Sequence, residues 1–333
     1  MQELVHRAPS SAIRIVVIAL LGWAILNAAI IVLAHGFLPF DRPNLITMPF
    51  WLQVAMPSFG LIEQLALMGV VALMTRKRPS TLADRTPTRG VAGREVAYTL
   101  VYAMIAQAGG WIIGPAFGFR PFSFHIAGTL VGCSTLASPA EATVWASYNF
   151  IAFAIVPYLW FRRRYSNYEL CLVFDGPGND LLVVLVVLVI ESAVQLAAMK
   201  NIFALPLSVM LVAAPLSFTI FLFGTVLPTM ILVYAILLPR YYKLTGSVPL
   251  SVILGGLTYA SLHLVEGWSA FDTPEDTALS ILFVFLSYTG PGMFKSYVTL
   301  RTGNAWVHAL GYHAVAPHTI IDAPMIARVF RLI

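Results

Sequence analysis

The sequence predicts an all-α integral membrane protein, a polytopic bundle of about nine transmembrane helices. Of its 333 residues, 59% are hydrophobic and only 11% are charged, whereas soluble domains average about 25% charged residues. The apolar residues also form long runs, and a bilayer core needs about 20 apolar residues in a helix to cross it. The net charge of +5 does not indicate nucleic acid binding, because the basic residues cluster between the apolar runs.

Nine apolar runs have roughly the length of a span, and no soluble domain separates them. The sixth run is too long for one straight span, so we expect a kinked helix or a helix plus a re-entrant piece, broken around Gly224 and Pro228. We divide this single membrane domain into N-terminal helices, 1–203, and a C-terminal core, 204–333. The runs cover 13–34, 54–74, 96–117, 142–161, 180–199, 204–238, 249–265, 277–298 and 304–320.

The basic loops predict the orientation of the chain. Lysines and arginines cluster between the second and third runs and after the fourth, sixth and eighth, whereas the loop after the seventh run is acidic. By the positive-inside rule, nine crossings then place the N-terminus in the cytoplasm. The sequence thus predicts a multi-pass protein of the cell membrane whose first run is a retained span. We expect the basic loop 76–94 to contact anionic lipid.

Residues 249–318 concentrate ionisable side chains within apolar sequence. Such a side chain is costly to desolvate in a membrane, so its presence is a functional-site hypothesis, and imidazole is the commonest metal ligand. The alternative is that each histidine only donates to a carbonyl of a neighbouring helix. The histidines of this stretch are His263, His308, His313 and His318.

Three polar residues around the first of these histidines fall on one stripe of a helix. Tyr259 and His263 are four positions apart, and Glu266 follows three positions later, spacings that share a helical face. A phenol, an imidazole and a carboxylate are therefore expected close together. Tyr259 is interpreted as a binding residue, and Glu266 is one candidate for a catalytic carboxylate.

The other three histidines recur at every fifth position, a step of about 140° on a helix, so they do not share one face unless Pro317 breaks the register. Our preferred metal ligands are His263 and His313, with His308 as a third candidate and His318 as a binding residue. Two or three histidines plus a water are typical of a catalytic zinc site. Zinc is therefore the expected cofactor.

The remaining polar residues receive plainer interpretations. Cys133 and Cys171 lack metal-ligand spacing and are read as ordinary residues. Asp322 is read as a surface residue that can orient His318.

The histidine-rich stretch resembles the CPBP family, the CAAX-protease and bacteriocin-processing group of intramembrane metalloproteases, also called Abi proteins. The segment "YASLH", Tyr259 to His263, is similar to the family's Phe-x-x-x-His motif. The segment "LRTGNAWVHALGYH", Leu300 to His313, is similar to the approach to its His-x-x-x-Asn/Asp motif. The resemblance implies that His263 and His313 hold zinc, and that the substrates are membrane-associated or lipidated, CAAX-like polypeptides.

The sequence departs from two of the three family motifs. Counting back from "LLPR" places Thr229 and Met230 at the family's two glutamates and Tyr234 at its arginine. Neither Thr nor Met can act as a general base near neutral pH. Pro317 stands where the third motif has Asn or Asp.

Three functions remain open at this point. The chain is an active zinc metalloendopeptidase whose base has moved, with Glu191 as the first candidate and Glu266 or Glu63 as others; Glu191 alternatively bonds only to a neighbour such as Gln195. It is otherwise a catalytically inactive family member that binds or scaffolds a membrane partner. The third function is a proton-coupled transporter in which Glu63, Glu191 and the histidines relay protons.

Overall fold

The computed structural model describes residues 9–40, 48–78, 81–125, 136–198, 205–266 and 268–333. Within these residues the secondary structure is helical and no strand occurs. The helices are α1 Pro9–Leu33, α2 Phe50–Met74, α3 Arg89–Ala116, α4 Pro139–Arg162, α5 Pro177–Ala198, α6 Leu207–Thr245, α7 Val248–Ser261, α8 Pro274–Thr302, α9 Trp306–His313 and α10 Ala323–Val329.

Seven of these helices, α1 to α6 and α8, are long and apolar enough to cross a membrane. They match seven of the nine predicted runs. The other two runs are shorter helices: α7 has 14 residues and α9 has 8. At 1.5 Å per residue, neither spans a hydrocarbon core of about 30 Å alone. The all-helical class is confirmed and the chain has the helices of a membrane protein.

Helix α6 is the centre of the bundle. Its residues 229–241 are all buried, whereas most of α1 is exposed. It is one continuous helix with π-helical turns at Leu222–Val226 and Met230–Leu237. Of the two predicted alternatives, the structure therefore has the helix without a re-entrant piece. Such π-helical turns absorb the missing N–H of prolines such as Pro228 and Pro239.

Helices α7 and α8 pack closely through glycine. A Cβ added to Gly256 would lie 2.8 Å from the Thr289 carbonyl oxygen, and one added to Gly292 would lie 2.9 Å from the Gly256 Cα. Small residues at these positions therefore let two helix backbones meet, as they do in membrane bundles. This contact fixes the end of α7 against α8, where His263 follows.

The basic loop after α2 makes internal contacts at the C-terminal end of α8. Arg85 donates to the Gly303 carbonyl at 2.7 Å and to Asp175 at 2.8 Å, and Arg78 pairs with Asp180. Cations near helix C-termini offset the partial negative charge of exposed carbonyls. Two of the arginines that we assigned to lipid contact thus stabilise the fold.

Cys171 lies buried in the segment between α4 and α5 and carries a free thiol. Burial raises the pKa of this thiol to about 11, so the group stays neutral near pH 7 and is a poor metal ligand. The interpretation of Cys171 as an ordinary residue is consistent with this, and Cys133 falls outside the described residues.

Candidate metal and hydrolytic site

The segment that follows α3, residues 119–125, folds back along that helix and carries His125. Gly110 and Gly114 permit the close approach, because a Cβ at either would lie under 3.0 Å from a backbone oxygen of the returning segment. Gln107 fixes the segment, donating to the Phe122 carbonyl at 2.9 Å and accepting from the Phe124 N–H at 3.0 Å. These contacts fix the backbone immediately before His125.

His263 lies in the turn that follows α7 and is fully buried. Its Nδ1 lies 2.8 Å from the Tyr259 carbonyl oxygen. Because a carbonyl only accepts, Nδ1 carries the ring hydrogen and the lone pair of the neutral imidazole is on Nε2. Nε2 is buried and has no hydrogen-bond partner within the described part of the chain.

Glu266 collects three donors from different elements. Its Oε1 lies 2.8 Å from His125 Nδ1, and its Oε2 accepts from Trp268 Nε1 at 2.7 Å and from the Tyr288 hydroxyl at 2.9 Å. Charge-assisted hydrogen bonds of this kind stabilise a buried carboxylate and fix its orientation. Tyr259, His263 and Glu266 do not lie on one helical stripe as expected, because α7 ends at Ser261 and the two later residues lie in the turn that follows.

His125, His263 and Glu266 form a group of potential metal ligands. One ligand atom from each lies within 4.8 Å of the others, and all three side chains are buried. His263 Nε2 is 3.9 Å from Glu266 Oε1, a separation that a shared ion can bridge. The orphaned lone pair on Nε2 and the set of two imidazoles and a carboxylate fit a zinc ion with an open coordination position.

A histidine–aspartate pair borders this group. His318 Nδ1 lies 2.9 Å from Asp322 Oδ2, and the His318 ring centroid is 5.4 Å from that of His125. The carboxylate holds the hydrogen on Nδ1 and leaves Nε2 as an acceptor. The prediction that Asp322 can orient His318 is supported by this contact, but Asp322 is buried and the prediction of a surface residue is wrong.

The helical backbone is broken between α9 and α10, and this break positions His318. Pro317 has ψ 141° and His318 has φ 65°, a left-handed conformation that is uncommon outside glycine and is often found at functional sites. The Ser217 hydroxyl donates to the His318 carbonyl at 2.7 Å, and the imidazole stacks on Phe221 with centroids 4.6 Å apart. The predicted disruption at Pro317 is confirmed.

His308 and His313, two of the three predicted ligands, are not members of the ligand group. The rings form a row instead: His313 stacks on His318 at 5.2 Å and lies 6.4 Å from His308. His308 in turn packs edge-on against Tyr234 at 4.4 Å. His263, the third predicted ligand, is a member of the group, and Tyr259 packs against its ring at 4.4 Å.

The positions aligned with the family's glutamates carry no acid. The Thr229 hydroxyl donates to the Thr225 carbonyl at 2.7 Å, and Met230 is buried in apolar packing. The carboxylate next to the histidines is instead Glu266, one of the two predicted catalytic residues. Glu191, the other, lies on α5 beside Glu63 and accepts from Gln195, and it is not a member of the ligand group.

Sequence reasoning missed His125. No short spacing connects it to the other members, since 141 positions separate it from Glu266. The available signal is a histidine inside apolar sequence, in "FSFH", after the glycine-rich end of α3. An ionisable side chain in apolar sequence is costly to desolvate, so the argument used for the late histidines also applies to His125.

No family model matches this chain, and no curated protein or solved structure shows significant similarity to it. The resemblance to the CPBP family therefore rests on the motif residues alone.

Proposed function

We propose that the chain is a membrane-embedded, zinc-dependent hydrolase that cleaves membrane-associated polypeptides. The observation that carries this proposal is the meeting of His125, His263 and Glu266 around the unpartnered Nε2 of His263, next to the His318–Asp322 pair. Peptides are the proposed substrate class because of the resemblance at Tyr259–His263 and Leu300–His313.

Each side chain has a separate role in this proposal. His125, His263 and Glu266 hold the ion, and Trp268 and Tyr288 keep the Glu266 carboxylate in place. A zinc ion in such a set supplies Lewis acidity toward a carbonyl group and a water molecule. His318 acts as the general base through Nε2 and returns the proton to the leaving amine, while Asp322 stabilises the imidazolium that forms.

A second candidate function is that of a catalytically inactive family member that binds a membrane partner. The specific observation in its favour is that Thr229 and Met230 occupy the positions of the family's acids, with the Thr229 hydroxyl engaged by its own helix. Zinc binding without any hydrolysis would support this candidate over the first.

The test is the metal content of purified protein, measured by elemental mass spectrometry after exchange into metal-free buffer and reloading with zinc. We expect one zinc per chain in the wild type and none in His125→Ala or His263→Ala. His35→Asn is the matched control, because His35 is exposed and asparagine tolerates its φ of 45°. Zinc retained in both alanine variants would overturn the proposed site.

A further inference from the structure

We call the ligand group together with the His318–Asp322 pair the histidine site. A second buried polar cluster lies outside it. Glu191 on α5 is 1% exposed, and its carboxyl group lies within hydrogen-bonding reach of Glu63 on α2. Gln195, one turn along α5, donates to Glu191 Oε1. Two acidic side chains from two candidate membrane spans therefore face each other inside the bundle.

The atoms left without partners in this cluster are acceptors. Glu63 Oε1, Glu191 Oε2 and Gln195 Oε1 are buried and have no well-aligned hydrogen bond from a described residue, although the Tyr312 hydroxyl lies within reach of the Glu191 carboxyl group. An ionised carboxylate is acceptor-only, whereas a protonated one also has an O–H to donate. One proton between Glu63 and Glu191 would supply the donor that the two carboxyl oxygens lack.

The charges of the surrounding groups agree with one proton. Lys295 on α8 interacts electrostatically with Glu191, and its ammonium lies 4.0 Å from the ring centroid of Tyr259 and 4.8 Å from that of Tyr312. Tyr312 on α9 is the other titratable group that faces Glu191. Even with Lys295 protonated, two ionised carboxylates would leave a net charge of −1 in this cluster, and at least one bound proton is needed to cancel it.

We propose that Glu63 and Glu191 form a proton-binding site, a carboxyl–carboxylate pair that shares one proton at neutral pH. We call these two residues the carboxyl pair. Glu63 is only half-buried, so it is the more accessible member of the pair. The proposal is independent of zinc binding and hydrolysis, since neither residue belongs to the ligand group.

Infrared difference spectroscopy of the full chain in lipid nanodiscs tests this site. The measurement is the C=O stretching band of a protonated carboxylic acid, identified by its shift in D₂O, in wild type minus Glu191→Gln and wild type minus Glu63→Gln at pH 7. We expect the band in both differences, because either substitution removes the facing carboxylate. Glu275→Gln, which removes an exposed carboxylate, is the control and should show no band.

Three outcomes would overturn the proposal. A wild type without the band contains no protonated pair. If the Glu191→Gln protein lacks the band while the Glu63→Gln protein keeps it, the proton is on Glu191 alone and is not shared. A band that disappears from wild type when choline chloride is replaced by NaCl at constant ionic strength shows a sodium site.

A second measurement does not depend on spectroscopy. If the folded protein keeps a proton that the unfolded chain releases, its stability falls as pH rises from the pKa of an unfolded glutamate to the pKa of the pair in the folded protein. The melting temperature of wild type should therefore decrease with rising pH more steeply than that of Glu191→Gln. Parallel curves would contradict the shared proton, and they can be measured whether or not the protein is active.

Discussion

The histidine site and the carboxyl pair both bury acidic side chains within the helical bundle, but they satisfy them differently. Glu266 is surrounded by N–H and O–H donors from His125, Trp268 and Tyr288, and the unpartnered atom within the ligand group is His263 Nε2. Glu191 faces another carboxyl group, and the atoms left over are oxygens. A metal cation suits the first site because it accepts the nitrogen lone pair. A proton suits the second because it gives the facing carboxyl oxygens a hydrogen-bond donor.

The largest expected effect concerns the part of the histidine site that is proposed to move a proton. Asp322→Asn should lower the rate of cleavage of a membrane-anchored reporter polypeptide by about 10²–10⁴-fold, the usual contribution of general base catalysis. Zinc content should stay at one per chain, because Asp322 is not in the ligand group. A variant that loses zinc and activity together would make Asp322 part of metal binding instead.

The same chemical change at the two acids sharpens the comparison further. In Glu266→Gln the charge-assisted hydrogen bonds from His125, Trp268 and Tyr288 become bonds to a neutral amide, and His125 must change tautomer to accept the amide N–H. The free energy of unfolding should therefore fall by about 1–3 kcal/mol, with loss of zinc. Glu191→Gln should be close to neutral, because the new amide can donate to Glu63. Denaturant titration in detergent micelles measures both, and equal losses in the two variants would mean that the sites do not differ as described.

Packing beside the histidine site gives the next effect. Gly256→Ala would place a methyl group 2.8 Å from the Thr289 carbonyl oxygen, and overpacking of this kind costs about 1–3 kcal/mol. Because α7 and α8 would separate there, zinc affinity should fall as well, measured by competition with a chelator. Gly22→Ala is the matched control, since a Cβ at that position meets no atom within 4 Å.

The smallest effect is expected from a single donor to Glu266. Tyr288→Phe removes the hydroxyl that donates at 2.9 Å and should lower the free energy of unfolding by about 1 kcal/mol. Zinc should remain bound, because His125 and Trp268 still orient the carboxylate. An effect as large as that of Glu266→Gln would show that the Tyr288 hydroxyl does more than hold Glu266.

Much of the fold was predictable because the bilayer imposes a simple rule on sequence. Seven of the nine predicted runs are helices of sufficient length, since a span needs a long apolar run wherever it packs. The runs that became α7 and α9 were overestimated. Helix α7 packs against α6 and α8, and α9 packs mainly against α5. Apolar residues that pack against neighbouring helices and apolar residues that face lipid have the same hydropathy, so a window of hydropathy does not separate a short packed helix from a span.

The site was less predictable, for a geometric reason. The apolar surroundings and the motif resemblance indicate His263, and helical spacing from it indicates Glu266, although a turn and not a helix brings these two residues together. His125 was missed, and His313 was preferred, because the convergence of distant segments is set by tertiary packing and leaves no local pattern.

The sequence alone therefore determined a helical membrane protein with ionisable side chains in its late segments, since both follow from composition and the cost of desolvation. Tertiary structure decided which of those side chains meet. The close approach at Gly110 and Gly114, the end of α7 at Ser261 and the left-handed His318 bring His125, His263, Glu266 and His318 to one place. These are backbone geometries that only the packed chain can select.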